Sequence, residues 1–388
     1  MCFKLALPFL PYRIPGKLSS VNDVITAIKD NNFSNILIVT SKTVRSLGLT
    51  YDIEQELKKN NLKFSVFEDV ISNPTTDVIE KCFNCYADNN CEMMIAIGGG
   101  SVIDCAKAVG VMYARPNKEL IELKGVLKVK KKLPMLIAVP TTAGTGSETT
   151  LATVIVDSKT RHKFAINDFP LIPHFAYLDY KLTLCLPPFV TVTTGMDALT
   201  HAIEAYIGRT TTKQTRVWAL KSCKLIFENL ETAFNFGDNK TARENMLNAS
   251  YFAGLAFTRS YVGYVHALSH ALGGKYNVAH GYANAILLPH VLTAYGKSAQ
   301  KKLCEIAKYC NLCDDHTPVD VGAKIVIDKI YQMNKNLQIG DKIPELKKRD
   351  IVILSVTAEK EANPLYPVPK LFDSSQLAKI YEQVLVEE

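Results

Sequence analysis

The chain has 388 residues, of which 47% are hydrophobic and 21% are charged, so it is long enough for two domains with well-developed cores. This composition excludes a largely disordered protein. The formal net charge of +7 is spread along the sequence apart from a lysine-rich run at 128–132, and no recognition motif accompanies it. We therefore expect no nucleic-acid partner.

The first 17 residues carry prolines at positions 8, 11 and 15 and lack the features of a secretion signal, and no apolar run is long enough to cross a bilayer. We therefore expect a cytoplasmic protein without a membrane partner. Its ten cysteines would then be reduced thiols. Cys82 with Cys85, and Cys310 with Cys313, have zinc-like spacing, but each pair is also typical of one apolar helix face.

In the first half of the chain, short apolar runs alternate with stretches of helical spacing. The predicted strands are 36–40, 64–67, 93–97 and 136–139, and the predicted helices are 20–29, 51–59, 76–87 and one that begins at Ser101. This alternation predicts a parallel sheet with helices on both faces, a Rossmann-like α/β domain. Such domains bind ligands at the carboxyl ends of their strands.

Two turns rich in glycine and hydroxyl groups follow these strands. The first, GGGS at 98–101, precedes a helix, so backbone N–H groups and the positive helix end can approach a pyrophosphate. Its spacing is neither that of GxGxxG nor that of a Walker loop. The next strand leads into PTTAGTGSETT at 140–150. Two such turns at one sheet edge favour a dinucleotide site over an ordinary loop.

From Pro187 onwards the strand pattern stops. Segments with helical spacing are 192–207, 215–228, 241–257 and 300–309. Consecutive prolines end an element, so we place the domain boundary at the Pro187-Pro188 pair. The expected domains are 1–186, which binds the dinucleotide, and 187–388, which is entirely helical and binds metal and substrate.

Five of the eight histidines lie between positions 201 and 290. Asp197 and His201 are four residues apart, so on a helix they share one face about 5–6 Å apart. His266 and His270 repeat this spacing on a helix that we expect to end at Gly273-Gly274. His280 follows in an expected loop.

Carboxylate and imidazole side chains are suitable ligands for a divalent transition metal. An isolated pair of this kind would be an ordinary set of core or surface residues. Here, however, the polar side chains interrupt apolar helix faces, where imidazoles without partners would be costly. A shared metal removes that cost.

These segments resemble the iron-containing, or group III, alcohol dehydrogenases, and the resemblance covers nearly the whole chain. The matching segments are 98–101, 140–148, 195–206 and the stretch from His266 through HGYANAILLPH at 280–290. The resemblance implies a dehydroquinate synthase-like architecture, in which a dinucleotide-binding domain faces a helical domain and the active site lies in the cleft between them. It also implies a homodimer.

Carried over residue by residue, the resemblance implies metal ligands at Asp197, His201, His266 and His280. It implies iron as the metal, although the ligand types alone would also allow zinc. His270 would stand next to the substrate and is the candidate catalytic residue. The implied cofactor contacts are Asn73, Gly99, Gly100, Ser101, Thr141, Thr142, Thr150 and Lys163.

One position departs from the family pattern. Many NAD-using members have an Asp just after the first strand, where it can accept hydrogen bonds from the ribose hydroxyls, whereas this chain has Ser41 followed by Lys42. An acid would repel a 2′-phosphate, while Ser41 and Lys42 can hydrogen-bond and pair with one. The pattern therefore favours NADP over NAD, or the use of both cofactors, with Ser41 as a further cofactor contact.

The function that follows is hydride transfer between a nicotinamide cofactor and a small primary alcohol or aldehyde. Phe257, Tyr261, Val262 and Leu268 are candidate apolar lining residues. The alternatives are a glycerol dehydrogenase-like polyol oxidoreductase, a dehydroquinate synthase-like lyase and a nucleotide-binding or metal-sensing protein without catalysis. A lyase of that kind needs a basic phosphate pocket, and the nearby basic residues show no clear clustering in the sequence.

Overall fold

The structure is a computed structural model that describes residues 10–386. Their contacts divide the chain between Thr183 and Leu184 into an N-terminal and a C-terminal unit. Within the described range, no helix has the length and apolar character needed to cross a membrane.

The N-terminal unit is built on a six-stranded sheet. Its strands are β1 Gly16–Leu18, β2 Asn35–Val39, β3 Lys63–Phe67, β4 Met93–Gly98, β6 Met135–Pro140 and β9 Phe175–Tyr177. They lie in the order β1-β9-β6-β4-β2-β3, and every pair of neighbours is parallel. The central strands β4 and β6 are buried throughout. Strands covered on both faces are continuous apolar runs, and this is why the sequence revealed them.

The helices of this unit are Val21–Asp30, Lys42–Ser46, Tyr51–Lys59, Thr76–Asp88 and Gly100–Ala114. Alternate residues of β2 point to two separate cores, with Ile36 and Ile38 in one and Leu37 and Val39 in the other. Both faces of the sheet are therefore covered, which confirms the predicted α/β architecture.

The sequence did not reveal a second sheet of three strands. Its strands are β5 Gly125–Val126, β7 Ala152–Val156 and β8 Lys163–Asn167. They lie in the order β5-β8-β7, and β7 pairs with β8 in antiparallel fashion. Asp157 stabilises the turn between β7 and β8 by accepting hydrogen bonds from the backbone N–H groups of Lys159 and Thr160. This hairpin places Lys163 at the start of a strand.

The C-terminal unit contains nine α-helices and no strand among its described residues, as the sequence predicted. The helices are Pro188–Ile207, Lys213–Asn235, Lys240–Ser260, Tyr264–Tyr276, His280–Tyr295, Lys297–Tyr309, Val319–Asn336, Ile351–Ala362 and Ser374–Val384.

Two local predictions in this unit were wrong. The helix that carries His266 does not end at Gly273-Gly274 but continues to Tyr276, because a helix tolerates glycine at a modest cost. Asn277 ends it instead, in the left-handed conformation and with its N–H bonded to the carbonyl of Gly273. His280 lies not in a loop but at the first position of the next helix.

Candidate metal centre and cofactor loops

The helix Pro188–Ile207 carries the first two candidate metal ligands. A proline at its first position is compatible with a helix start, since that N–H has no partner within the helix. From Thr191 onwards nearly every residue of the helix is buried, so Asp197 and His201 project into the protein interior. His201 Nδ1 lies 3.9 Å from Asp197 Oδ2.

The other two candidate ligands approach Asp197 from separate helices. His266 Nε2 lies 3.8 Å and His280 Nε2 lies 3.4 Å from Asp197 Oδ1. Ligand atoms of Asp197, His201 and His266 all lie within 4.8 Å of one another. His280 is the most exposed of the four, with 38% of its side chain accessible, so solvent reaches the group from its side.

Gly281 explains how His280 comes so close to Asp197. A Cβ atom at position 281 would lie 2.1 Å from the carbonyl oxygen of Thr193. The missing side chain therefore lets the start of one helix pack directly against the backbone of the Asp197 helix. The sequence resemblance included this glycine but gave no reason for it.

The residues of this group are suited to a metal ion. His266 Nε2 is buried and has no hydrogen-bond partner within the described part of the chain, a costly arrangement unless a cation binds there. Burial raises the pKa of Asp197 and lowers the pKa of His266 far below its usual range. A bound divalent cation would reverse the effect on Asp197, because metal binding favours the carboxylate together with neutral imidazole.

Neighbouring side chains hold the ligands in place. Asn284 Nδ2 donates a hydrogen bond of 2.8 Å to Asp197 Oδ1 and lies 3.1 Å from His280 Nε2. Phe257 stacks on the His201 ring with centroids 4.0 Å apart. Phe257, a candidate lining residue in the sequence, therefore contacts a metal-ligand candidate directly.

Glu204 is a polar residue of this region that the sequence did not single out. Its Oε2 lies 2.6 Å from His266 Nδ1. It also accepts hydrogen bonds from the backbone N–H groups of Gly263 and Val265. Burial raises the pKa of Glu204 to about 7, although these backbone N–H groups act in the opposite direction. A carboxylate three residues after His201 on an apolar helix was the signal that could have revealed it.

His270 lies beside the group but has a different partner. Its Nδ1 is 2.6 Å from Glu361 Oε1, an oxygen that also accepts a hydrogen bond from the Tyr366 hydroxyl. The His270 ring stacks on His280 with centroids 5.1 Å apart. Burial opposes ionisation of Glu361, but the hydrogen bond and charge of His270 outweigh burial and lower the pKa of Glu361.

In the N-terminal unit, the two glycine-rich turns lie side by side. Gly98 of β4 pairs with Pro140 of β6, and the N–H of Thr141 donates to the carbonyl of Gly98. Gly99 is the N-cap of the helix Gly100–Ala114. A Cβ atom on Gly100 would lie 2.9 Å from the Thr145 side chain, so glycine is needed for this close approach of the two turns.

Three of the predicted cofactor contacts form one hydrogen-bonded chain. Lys163 Nζ donates to Asn73 Oδ1 at 2.8 Å, and the backbone N–H of Asn73 donates to Ser101 Oγ at 3.2 Å. They come from β8, from the loop after β3 and from the first turn of a helix, respectively. Burial lowers the pKa of Lys163, and the charge of Asp104 opposes this effect.

Thr150 is held in place by Lys107, a buried residue of the same unit. Lys107 Nζ donates to both the hydroxyl and the carbonyl oxygen of Thr150 at 2.9 Å. Thr142 lies beside Gly99, where a built Cβ atom would be 3.4 Å from its side chain. Lys107 is fully buried, and burial lowers its pKa to about 8.

Ser41 lies beside Asp69, an acidic residue that is 28 positions away in the sequence. It caps the helix Lys42–Ser46, with its Oγ accepting from the N–H of Val44, and it forms an isolated bridge with Asp69. Lys42 Nζ is 2.7 Å from Asp69 Oδ1, and both side chains are exposed. Asp69, two residues after β3 ends, therefore lies next to both Ser41 and Lys42.

Comparison with known proteins matches both units. Residues 13–180 match the iron-containing alcohol dehydrogenase model, and residues 191–385 match the C-terminal model of the Fe-containing alcohol dehydrogenase family. The chain is 35% identical over 376 residues to alcohol dehydrogenase 4 of Schizosaccharomyces pombe, covering 93% of this chain and 87% of that protein.

Solved structures show the same relationship. A 1,3-propanediol oxidoreductase matches with a TM-score of 0.93 and 30% identity, covering 97% of this chain and 100% of that one. Sulfoacetaldehyde reductase from Bifidobacterium kashiwanohense, solved with NAD+, matches with a TM-score of 0.85 and 26% identity, covering 98% and 99%. This chain therefore belongs to the iron-containing alcohol dehydrogenase family and is an oxidoreductase of that class.

Proposed function

We propose that this chain is a metal-dependent, NAD(P)-linked alcohol dehydrogenase or aldehyde reductase that holds its metal with Asp197, His201, His266 and His280. The observation that carries this proposal is the approach of three histidines to one buried carboxylate, with His266 Nε2 lacking a hydrogen-bond partner among the described residues. Family membership favours iron, and the same nitrogen and oxygen ligands also suit zinc.

A divalent cation bound here would act as a Lewis acid on the substrate oxygen. Asp197 supplies the only carboxylate of the proposed set, and three neutral imidazoles add no charge. The ligands therefore leave a net charge of +1, which favours negative charge on a substrate oxygen. Because His280 is partly exposed, substrate would approach from its side.

His270 is proposed to contact the substrate rather than the metal. Its Nδ1 is engaged by Glu361 at 2.6 Å, so Nε2 is the nitrogen that can hydrogen-bond a substrate hydroxyl or carbonyl. Its side chain is 44% exposed, as a substrate contact requires. Tyr366, through its hydrogen bond to the same carboxylate, helps to fix Glu361.

A nicotinamide cofactor supplies the hydride chemistry when bound. The adjacent turns present backbone N–H groups and a helix N-terminus, which suit a pyrophosphate. Lys163 adds a positive charge that Asn73 orients. The proposed contacts are Ser41, Asn73, Gly99, Gly100, Ser101, Thr141, Thr142, Thr150 and Lys163.

We propose that the enzyme accepts both NAD and NADP. Ser41 and Lys42 by themselves favour a 2′-phosphate. Asp69 opposes this preference, because its carboxylate neutralises Lys42 and would repel a phosphate placed beside it. The same carboxylate can accept hydrogen bonds from ribose hydroxyls.

The proposed substrates are small primary alcohols or their aldehydes. The named relatives act on small molecules of this kind, a propanediol and an aldehyde. Tyr261, which is 41% exposed, stacks edge-on against Tyr366 near Glu361 and is the aromatic residue best placed to contact an apolar substrate carbon. A homodimer and a cytoplasmic location remain predictions from the sequence.

The deciding experiment uses the full-length protein, stripped of metal and reconstituted anaerobically with Fe²⁺ or Zn²⁺. Near-ultraviolet absorbance of NADH and NADPH is followed with a panel of small alcohols and aldehydes. We expect metal-dependent turnover that His266→Ala abolishes. Full activity without metal would overturn the proposed site, and substrate conversion without net cofactor turnover would indicate the lyase.

A further inference from the structure

We propose that Glu204 is a positioning residue for the metal centre. It holds His266 in the tautomer with the proton on Nδ1, so that the unprotonated Nε2 faces Asp197. This proposal rests on the proposed metal ligands. It adds a residue that does not bind the metal itself but increases the affinity of His266 for the metal.

The first step is the set of hydrogen bonds that Glu204 makes. Oε2 lies 2.6 Å from His266 Nδ1 and accepts from the N–H of Gly263 at 2.7 Å, while Oε1 accepts from the N–H of Val265 at 2.8 Å. Glu204 is 3% exposed and His266 is 2% exposed. Buried hydrogen bonds to a charged group are among the strong ones, so this arrangement is firmly held.

The second step is what these bonds do to the fold. The helix Tyr264–Tyr276 begins at Gly263, whose N-cap position offers no side-chain hydrogen bond. Glu204 satisfies two of the free N–H groups at this helix start from a different helix, Pro188–Ile207. One carboxylate therefore links the helix of Asp197 and His201 to the helix of His266.

The third step concerns the proton on His266. A neutral imidazole has one donor and one acceptor nitrogen, and both oxygens of Glu204 already act as acceptors towards the backbone N–H groups of Gly263 and Val265. The contact with Glu204 therefore places the proton on Nδ1 and leaves the lone pair of Nε2 facing Asp197 Oδ1, 3.8 Å away. A carboxylate that orients a metal-binding histidine in this way typically improves metal affinity about 10- to 100-fold.

Gly263 supports this interpretation independently. A Cβ atom there would lie 2.7 Å from Glu204 Oε1, yet its φ of −135° is ordinary for any residue. A side chain at position 263 would therefore push against the Glu204 carboxylate where it now lies, so glycine serves space here and not backbone conformation. The helix start lacks a side chain at the point where the carboxylate must approach.

The chain contains a matched control for this pair. Glu361 contacts His270 Nδ1 at the same distance of 2.6 Å, but His270 is not among the proposed ligands. If such carboxylate–imidazole contacts had only a general structural role, removing either carboxylate would affect metal binding to the same extent.

The experiment compares Glu204→Leu, Glu204→Gln and Glu361→Gln with the parent by competition between protein and chelator for Zn²⁺, and anaerobically for Fe²⁺. We expect Glu204→Leu to bind either metal about 10- to 100-fold more weakly. The metal affinity of Glu204→Gln should lie between those of Glu204→Leu and the parent, because the glutamine amide oxygen still accepts a hydrogen bond from His266 Nδ1. Glu361→Gln should bind metal as the parent does.

A second measurement is independent of metal. In metal-free protein labelled with ¹⁵N-histidine, we expect His266 to show the Nδ1–H tautomer in the parent and a mixture of tautomers in Glu204→Leu. Fluorescence of Trp218, the single tryptophan and a buried residue of the C-terminal unit, verifies that each variant is folded. A purely structural role would leave the tautomer unchanged in the folded variant.

Parent-like metal affinity in folded Glu204→Leu would overturn the role of Glu204. If that variant does not fold, parent-like metal affinity in folded Glu204→Ala, which also removes the acceptor for Nδ1, would overturn the role equally. His266→Ala separates the two levels of the proposal. Undiminished metal binding in His266→Ala would contradict the metal site itself, whereas loss in His266→Ala but not in the Glu204 variants would contradict only the positioning role.

Discussion

His270 and Glu361, 91 residues apart in sequence, form a carboxylate–imidazole contact of 2.6 Å at the edge of the proposed metal centre. Glu361 Oε1 also accepts from the Tyr366 hydroxyl, so one carboxylate oxygen connects a histidine to a tyrosine. The contact engages Nδ1 of His270 and leaves Nε2 for the substrate.

His270→Ala should therefore retain metal and lose turnover. Removing a group that donates or accepts a proton in catalysis typically costs about 10²- to 10⁴-fold in rate. The measurement is kcat beside metal content in the purified variant. His266→Ala is the comparison, since it should lose both, and a His270→Ala enzyme that turns over at the parent rate would remove His270 from the mechanism.

Glu361→Gln should lower kcat by roughly tenfold, about 1.4 kcal/mol in activation free energy, with little change in metal content. The reason is that glutamine keeps the shape but loses the charge that holds His270. Tyr366→Phe removes only the second hydrogen bond to the same oxygen and should have a smaller effect. Equal losses in both variants would mean that the charge of Glu361 does not matter.

The sequence predicted the elements that depend on local pattern. Buried parallel strands such as β4 are continuous apolar runs, and a spacing of four residues places Asp197 and His201 on one helix face in any context. It missed the β7–β8 hairpin, because β8 is short and has polar residues at both ends. It also missed Glu361, whose role depends on a contact that only the tertiary fold creates.

Gly281→Ala should weaken metal binding although no ligand is changed. A methyl group at position 281 would meet the Thr193 carbonyl oxygen at 2.1 Å, and because this atom belongs to a helix backbone, the helix that begins at His280 must move. Chelator competition measures the effect. Gly274→Ala is the control: it lies inside a helix with no atom within 4 Å of its built Cβ, and it should be neutral or stabilise by about 0.4–1 kcal/mol.

Asp69→Asn should shift cofactor preference towards NADPH. The substitution removes the negative charge beside Ser41 and frees Lys42 to pair with a 2′-phosphate, so we expect the NADPH to NADH ratio of kcat/KM to rise by roughly tenfold, about 1.4 kcal/mol. Lys42→Ala should shift the ratio in the opposite direction. Glu68→Gln, which loses the exposed pair with Arg45, serves as the charge-matched control. An unchanged ratio in Asp69→Asn would show that this carboxylate does not face the ribose.

Glu148 should make the N-terminal unit less stable as the pH rises. It is fully buried in the turn after β6, its Oε1 has no hydrogen-bond partner among the described residues, and burial raises its pKa from 4.5 to about 7. Between these two values the folded state binds more protons than the unfolded state, so its contribution to the free energy of unfolding falls with increasing pH. At about 1.4 kcal/mol per pKa unit, the free energy of unfolding falls by roughly 3 kcal/mol once Glu148 is fully ionised in the folded state.

Glu148→Gln removes the ionisation and keeps the shape, so its unfolding midpoint, measured by circular dichroism, should rise relative to the parent between pH 5.5 and pH 8. Glu92→Gln provides the control. Hydrogen bonds from the backbone of Ser34 and Asn35 lower the pKa of Glu92, which is therefore ionised in the folded and the unfolded state across this range. Its midpoint difference from the parent should stay constant. A constant difference for Glu148→Gln as well would mean that Glu148 is already ionised in the folded state below pH 5.5, as it is in the unfolded state, and that burial does not raise its pKa into this range.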